Sequence, residues 1–191
     1  FGITAAIFLA LCAYHQLVLP RPQGDHSTAK TGALWTDFIE TFRSFFRKKG
    51  IVSIIGFLLL YRLGEAQLLK MAAPFLLDPR DQGGLGLGTS QFGLVYGTIG
   101  VCALVLGGLA GGVVISRFGL KRALWPMVVI MHVPDLVFVY LATALPTDIV
   151  LISACLAVEQ FGYGFGFAAF MLYMILVADG EHKTAHYAIC T

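Results

Sequence analysis

The sequence predicts an all-α membrane protein that crosses the bilayer several times. Hydrophobic residues make up 58% of the 191 residues and charged residues only 13%, about half the share of roughly 25% in soluble domains. The apolar residues form five long runs, and most Lys and Arg residues lie on every second connection between the runs. A chain of this composition cannot cover a water-facing surface, so we expect its apolar runs to lie in lipid.

Each of the five apolar runs is long enough to be a membrane-spanning helix. They cover residues 1–19, 51–77, 91–115, 123–145 and 149–178, and another run begins at residue 185. A hydrocarbon core about 30 Å thick requires roughly 20 helical residues. Transmembrane strands would be shorter and would alternate polar with apolar residues, so we expect helices.

The positive charges indicate the orientation of these helices. Ten of the 13 Lys and Arg residues lie on the connections after the first, third and fifth runs. The opposite side carries Arg80 alone, in the connection after the second run. Because cytoplasmic loops are enriched in Lys and Arg, we expect the side with ten positive residues to be cytoplasmic.

The cytoplasmic connection over residues 20–50 divides into two parts. Residues 21–32 are polar and contain Pro and Gly, which predicts a flexible linker. In residues 34–49, Leu, Trp, Ile and Phe recur at helical spacing and four basic residues follow near the end. This pattern predicts an amphipathic helix in the plane of the membrane interface; a helix that binds a partner protein is the alternative.

Glycine spacing in the third run predicts a close helix contact. Gly93, Gly100 and Gly107 recur every seven residues and share one side of a helix. Small residues at such spacing allow the backbone of a second helix to approach. We therefore expect this run to pack tightly against a neighbour.

The second run contains ionisable residues at membrane depth. Tyr61, Arg62, Glu65 and Lys70 fall within ten residues, and a charge in the bilayer costs several kcal/mol unless it is paired or hydrated. We expect them to line a polar substrate or proton pathway. The alternative is a structural pair of Arg62 with Glu65, with Lys70 extending to the outer surface.

Two further runs contain polar candidates. Glu159, Tyr163 and Tyr173 lie on one broad stripe of the fifth run, where Glu159 is either a proton carrier or a protonated group in an interhelical hydrogen bond. In the fourth run, His132 and Asp135 lie one turn apart around Pro134. They either relay protons or bond the carbonyl groups that a proline kink frees.

The sequence contains no pattern typical of a soluble enzyme or a zinc site. The five His residues have no closely spaced Cys or carboxylate partners in a structural-zinc arrangement, and a G-x-S-x-G motif is lacking. We therefore expect no metal, no catalytic activity and no nucleic acid. A small-molecule substrate and the lipid bilayer are the expected partners.

The connection after the third run resembles the loop motif of the major facilitator superfamily, G-x-x-x-D-R-x-G-R-R/K. Gly112, Arg117, Gly119 and Lys121 match and Arg122 follows, whereas Ser116 replaces the Asp and Leu120 replaces an Arg. This degenerate form resembles the copy between helices eight and nine. The loss of the carboxylate weakens the expectation of a charge-relay role for the loop.

Four further segments resemble the AmpG-type muropeptide permeases of that superfamily. They cover residues 61–66, 93–97, 111–118 and 159–170. The resemblance implies a major facilitator-type helical bundle in which this chain is a fragment with about helices 6–10 of 12. Residues 1–19 would end the N-terminal half, which is otherwise missing, and residues 51–191 would belong to the C-terminal half.

The resemblance also implies a function. It predicts a multi-pass protein of the bacterial inner membrane that imports anhydro-muropeptides with protons, without another cofactor. Acidic residues of the family fall at the positions of Glu65 and Glu159. The alternatives are another cargo on the same fold, such as a drug, a siderophore or an acyl-CoA, and a membrane sensor that transports nothing.

Overall fold

The computed structural model describes residues 2–18, 33–180 and 182–191, and in this part of the chain the protein is helical without β-strands. The predicted all-α membrane bundle is confirmed as a fold class. The linker predicted over residues 21–32, and Leu19 at the end of the first run, lie outside the described residues.

The described helices follow the order of the apolar runs. They are α1 (Gly2–Val18), α2 (Ala33–Phe46), α3 (Ile51–Leu77), α4 (Thr89–Phe92), α5 (Val101–Phe118), α6 (Leu120–His132), α7 (Leu136–Ala144), α8 (Ile149–Ala178) and α9 (Lys183–Cys190). A π-helical segment, Gly93–Gly100, joins α4 to α5, and a short 3₁₀ helix, Arg80–Gln82, follows α3.

Among the described residues, four helical stretches are long and apolar enough to cross a membrane. They are Ile51–Leu77, Thr89–Phe118, Leu120–Ala144 and Ile149–Ala178, and Gly2–Val18 is a shorter apolar helix. The second stretch is longer than the predicted 91–115, because the helix continues to Gly119, whose φ of 74° ends it. The chain is thus a multi-pass membrane protein.

The third stretch is broken, whereas the sequence predicts one helix over residues 123–145. α6 ends at His132, α7 begins at Leu136, and Pro134 lies between them. Proline has no N–H to donate and its ring displaces the preceding carbonyl, so the helical hydrogen bonds are interrupted there. The break leaves Asp135 at the start of α7.

The described chain forms two compact units, residues 1–40 and residues 41–191. The first contains α1, whose side chains are exposed, and the boundary falls within α2. α2 ends at Phe46 rather than at the predicted residue 49. The N–H of Lys48 donates to the carbonyl of Phe45, three residues back, and Gly50, with a φ of 74°, leads into α3.

The second unit is centred on α8, which packs closely against α5 along glycine residues. A Cβ atom on Gly107 would overlap the carbonyl of Phe161, and one on Gly164 would overlap the carbonyl of Leu104. At Gly111 the carbonyl oxygen of Phe165 would lie at 2.5 Å. We call this contact the α5–α8 seam. The predicted glycine row enters it at Gly107, whereas Gly93 has open space beside it.

The end of α2 packs inside the second unit. Phe45 is 1% exposed and its ring lies 5.4 Å from the ring of His186 in α9. The imidazole Nε2 atom of His186 lies 2.9 Å from the hydroxyl of Ser44 and 3.2 Å from the carbonyl of Thr41. By contrast, Trp35 and Ile39 of the predicted apolar face are exposed, as a helix in the membrane interface requires.

Candidate functional site

Three carboxyl groups from three membrane spans meet at one point. Glu65 comes from α3, Asp135 from the break between α6 and α7, and Glu159 from α8, and their nearest oxygen atoms all lie within 4.8 Å of one another. Each lies roughly 10 residues from the outer end of its span, a depth of about 15 Å. In a core about 30 Å thick, this is the middle of the membrane. We call these residues the carboxyl cluster.

Burial leaves these groups with few hydrogen bonds. Glu65 is 0% exposed and Glu159 is 2% exposed. Both oxygens of Glu65 and the Oδ1 atom of Asp135 are buried without a hydrogen-bond partner among the described residues. Such unpartnered groups are rare in folded proteins and mark sites that take a ligand, a proton or water.

Two polar neighbours contact the other oxygens. The amide of Gln160 donates to the carboxyl of Glu159 over 3.1 Å. The Nδ1 atom of His132 lies 3.3 Å from the Oδ2 atom of Asp135. The predicted His132–Asp135 pair is thus formed, and its role as a proton relay stays a prediction.

The charge of the cluster limits its possible states. Two full negative charges at this separation repel by roughly 3–4 kcal/mol at an effective dielectric constant of about 20. Three ionised carboxylates would experience three such repulsions. The cluster therefore requires at least one proton, or a bound cation for which its oxygens are suitable hard ligands. The expectation of no metal was based on the spacing of the His residues, which does not indicate this group of possible carboxylate ligands.

Arg62 lies beside the cluster but does not pair with Glu65, because the oxygens of Glu65 have no hydrogen-bond partner. Its guanidinium carbon lies 5.4 Å from the ring centre of Phe167 and 5.8 Å from that of Phe170. Aromatic faces attract cations at such distances. The guanidinium thus lies against these two rings, and no hydrogen bond joins it to Glu65 among the described residues.

Arg62 also opens into a cavity of about 430 Å³. Side chains of α3 and α8 form much of its wall, with Phe167 and Phe170 on the α8 side, and Tyr187 and Cys190 of α9 complete it. A mostly apolar cavity with a single cationic group is suited to a ligand with a carboxylate and an apolar or ring-shaped body.

The predicted tyrosines do not form one site. The hydroxyl of Tyr61 donates to the carbonyl of Gly166 over 2.8 Å, so it joins α3 to α8. The half-buried Tyr163 lies near the cluster, with its ring 5.5 Å from that of Phe167. Tyr173 follows Glu159 by 14 residues, about 21 Å along the helix, and lines a different cavity.

Lys70 also lies apart from the cluster. It is exposed on α3, five residues after Glu65 and therefore about 140° around the helix. This position agrees with the alternative in which Lys70 extends to the outer surface.

The loop motif lies at the other end of the spans. Gly119, with a φ of 74°, joins α5 to α6, and the exposed Arg117, Lys121 and Arg122 surround the turn. Gly112 has open space beside it. The hydroxyl of Ser116, which replaces the motif's Asp, donates to the carbonyl of Val113 in its own helix over 2.8 Å. Within the described part of the chain, Ser116 therefore makes no interhelical hydrogen bond.

Sequence reasoning missed the participation of Asp135 in the cluster and the contacts of Phe167 and Phe170 with Arg62. The cluster residues lie far apart in the chain, so their spacing in the sequence does not indicate that they are in contact. Phe167 and Phe170 are three residues apart and share a helix face, a pattern that identifies an aromatic surface but not its cation.

These features define a class: a polytopic membrane helical bundle with an ionisable centre at mid-depth, as membrane transporters have. No protein-family profile matches the chain, and no solved structure matches it. Several curated proteins are nevertheless similar.

The anhydromuropeptide permease of Escherichia coli K12 is 24% identical over 184 residues, covering 96% of this chain and 36% of that protein. A Haemophilus influenzae protein without an assigned function is 27% identical over 158 residues, covering 78% of this chain and 36% of that protein. A Rickettsia typhi protein with the provisional name transporter AmpG 2 is 26% identical over 154 residues, covering 81% of this chain and 36% of that protein.

The chain is thus similar to proteins named as AmpG-type permeases, at 24–26% identity. It spans about a third of the length of the curated relatives that it matches, 36% in each of these three.

Proposed function

We propose that this chain forms part of a proton-coupled transporter that imports muropeptides across the bacterial inner membrane by alternating access. The observation that carries the proposal is the carboxyl cluster, in which three acidic groups from three spans meet beside a broken helix. Broken helices at mid-depth are typical of substrate and ion sites in secondary transporters.

The electrostatics of the cluster supports proton coupling. Glu65, Glu159 and Asp135 lie close enough to exchange protons, and His132 contacts Asp135 over 3.3 Å as a further proton carrier. When α8 moves relative to α3, the distances among the three carboxyl groups change, and so does the number of protons that they hold. Coupling therefore needs no other cofactor.

Substrate recognition is assigned to the cavity beside Arg62. The guanidinium binds the peptide carboxylate of a muropeptide, and Phe167, Phe170 and Tyr163 provide ring surfaces for the sugars. The substrate class comes from the relative named anhydromuropeptide permease. Relatives named permease or transporter also favour transport over catalysis.

The test is uptake by the full-length protein in liposomes with an imposed proton gradient and labelled anhydro-muropeptide. We expect the labelled muropeptide to accumulate against its own concentration gradient. The double variant Glu65→Gln with Glu159→Gln should abolish this accumulation. Asp81→Asn is the matched control, because this carboxylate is exposed outside the spans.

The other outcomes separate the alternatives. Accumulation that persists in the double variant would contradict proton coupling through these two residues. Uptake of a drug, siderophore or acyl-CoA instead of the muropeptide would identify that compound as the transported substrate. Saturable muropeptide binding without accumulation would identify a sensor.

A further inference from the structure

A second cavity, of about 640 Å³, lies at the opposite end of the spans from the external loops. The start of α3, the start of α6 and the end of α8 surround it. Its polar lining consists of Lys48, Lys49, Lys121, Trp125, Tyr173 and Asp179. None of these residues belongs to the carboxyl cluster, and its location does not depend on the transported cargo.

The cavity lies at the cytoplasmic boundary of the membrane. Lys48 and Lys49 precede the first residue of α3, and Lys121 is the second residue of α6. These helix ends are on the side that carries most of the Lys and Arg residues, which is cytoplasmic by the positive-inside rule. Trp125 and Tyr173 have amphipathic rings of the kind enriched where hydrocarbon meets headgroups.

One lysine of the cavity is already bonded. The ammonium group of Lys48 donates to the carbonyl oxygens of Val177 and of Asp179, the latter over 2.8 Å. It therefore satisfies carbonyl groups at the end of α8 that have no partner within the helix. Lys48 thus stabilises the wall of the cavity, and its positive charge adds to the electrostatic potential inside it.

Lys49 and Lys121 are available for a ligand. Both are exposed, and neither has a hydrogen bond or an ion pair to another described residue. Asp179 is the acidic group of the cavity, and its carboxylate pairs with Lys183 over 3.0 Å. The Lys183 hydrogen bond and charge lower the pKa of Asp179, so its negative charge is present at neutral pH but is matched by Lys183.

The remaining wall of the cavity is apolar. Ile54, Leu124 and Leu176 lie in it beside the ring of Trp125. A ligand that fits must combine an anionic group for Lys49 and Lys121 with a hydrocarbon part for this wall. Phospholipids of the cytoplasmic leaflet have this chemistry at this depth, and basic pockets between membrane helices bind their anionic headgroups.

We propose that this cavity is a binding site for an anionic phospholipid. Its phosphate lies between Lys49 and Lys121, and an acyl chain follows the apolar wall past Trp125. Because the site contacts α3, α6 and α8 together, an occupied site holds these three helix ends in one arrangement. The lipid thereby favours one conformation of the bundle.

The main test is the thermal stability of the purified full-length protein in neutral detergent with added phosphatidylglycerol or phosphatidylcholine. We expect phosphatidylglycerol to raise the melting temperature and phosphatidylcholine not to. A lysine that lies against an anionic headgroup contributes about fivefold in binding, and in the proposed site only Lys49 and Lys121 do so. Lys49→Gln with Lys121→Gln should therefore weaken the midpoint of the phosphatidylglycerol titration by roughly 25-fold.

Arg117→Gln with Arg122→Gln is the matched control. Both arginines are exposed on the same cytoplasmic turn, and neither lines the cavity. The control removes the same charge and should leave the midpoint within about twofold, whereas general attraction to a basic surface would weaken it equally. An equal loss in the two double variants would overturn the proposal. So would an equal stabilisation by inorganic phosphate, which would show an anion site without lipid.

A second measurement needs no lysine variant. This sequence has two tryptophans, Trp35 and Trp125. Trp35 and any tryptophan elsewhere in the full-length protein are first replaced by Phe, so that Trp125 alone is observed. We expect brominated phosphatidylglycerol to quench Trp125 fluorescence at lower concentration than brominated phosphatidylcholine. Equal quenching by the two lipids would contradict the site.

Discussion

The two sides of α8 differ in their packing and in their chemistry. On one side, the α5–α8 seam brings backbone against backbone along Gly107 and Gly164, with no space for a Cβ atom. On the other side, Glu159 meets Glu65 and Asp135, and both oxygens of Glu65 and the Oδ1 atom of Asp135 are buried without a hydrogen-bond partner among the described residues. The seam holds α8 in position, and the cluster keeps ionisable groups inside the membrane. Stability and function therefore lie on different sides of one helix.

The largest expected loss of stability is at the seam. Gly164→Ala adds a Cβ atom against the carbonyl of Leu104, and such overpacking destabilises by about 1–3 kcal/mol. Thermal unfolding in detergent measures the change. Gly97→Ala is the control, because a Cβ atom there meets open space. Equal stability of the two variants would show that the seam is not tightly packed.

At the cluster, an apolar substitution should raise the stability of the fold rather than lower it. Glu65→Leu removes a buried carboxyl that has no hydrogen-bond partner among the described residues, and burying such an unpaired polar group costs about 1–3 kcal/mol. We expect a higher melting temperature together with loss of proton-driven uptake. Gln67→Leu controls for the added apolar surface, since this residue is exposed on the same helix. A lower melting temperature for Glu65→Leu alone would refute the contrast.

Arg62 tests the substrate cavity. Arg62→Gln removes the cation that is assigned to the substrate carboxylate, and hydrogen bonds to charged groups contribute about 1.5–3 kcal/mol, or roughly 10- to 150-fold in affinity. Lys70→Gln removes a positive charge from the exposed side of the same helix and should leave affinity within about twofold. Binding of labelled muropeptide to the purified protein distinguishes the two. Similar losses would mean that long-range charge, rather than contact, attracts the substrate.

The smallest effect is expected at the exposed pair of Asp179 and Lys183. Lys183 lowers the pKa of Asp179 below its ordinary 3.8, so the pair stabilises the folded state above that pH and loses this effect as the pH falls through the lowered pKa. Both side chains are largely in solvent. Lys183→Gln should therefore leave the melting temperature at pH 7 unchanged within error. A clear fall would show that the junction between α8 and α9 depends on this pair.

Much of this fold follows from the sequence because hydropathy is a local property. The helices α3 and α8 have the same first and last residues as the apolar runs that predict them. Pro134 marks the break before α7, although the sequence predicts a continuous run with a kink there. Glycine spacing predicts the seam, but only the structure identifies which glycines meet α8.

The site was less predictable because its contacts are long-range. The sequence identifies Glu65 and Glu159 as ionisable groups in lipid-depth helices, and it associates Asp135 with His132 alone. Nothing in their spacing shows that the three carboxyl groups converge. The nearest basic neighbour in the chain, Arg62, invites pairing with Glu65, but the aromatic rings of α8 compete for it. Helix packing, which local sequence does not encode, decides both contacts.

The central claim is that the carboxyl cluster keeps at least one proton at neutral pH, and infrared spectroscopy of the carboxyl C=O stretch tests it most directly. We expect a protonated-carboxyl band in the folded full-length protein at pH 7, and we expect it to weaken or shift in Glu65→Gln and Glu159→Gln but not in Asp81→Asn. A spectrum without such a band, or a band that neither cluster variant alters, would contradict the account.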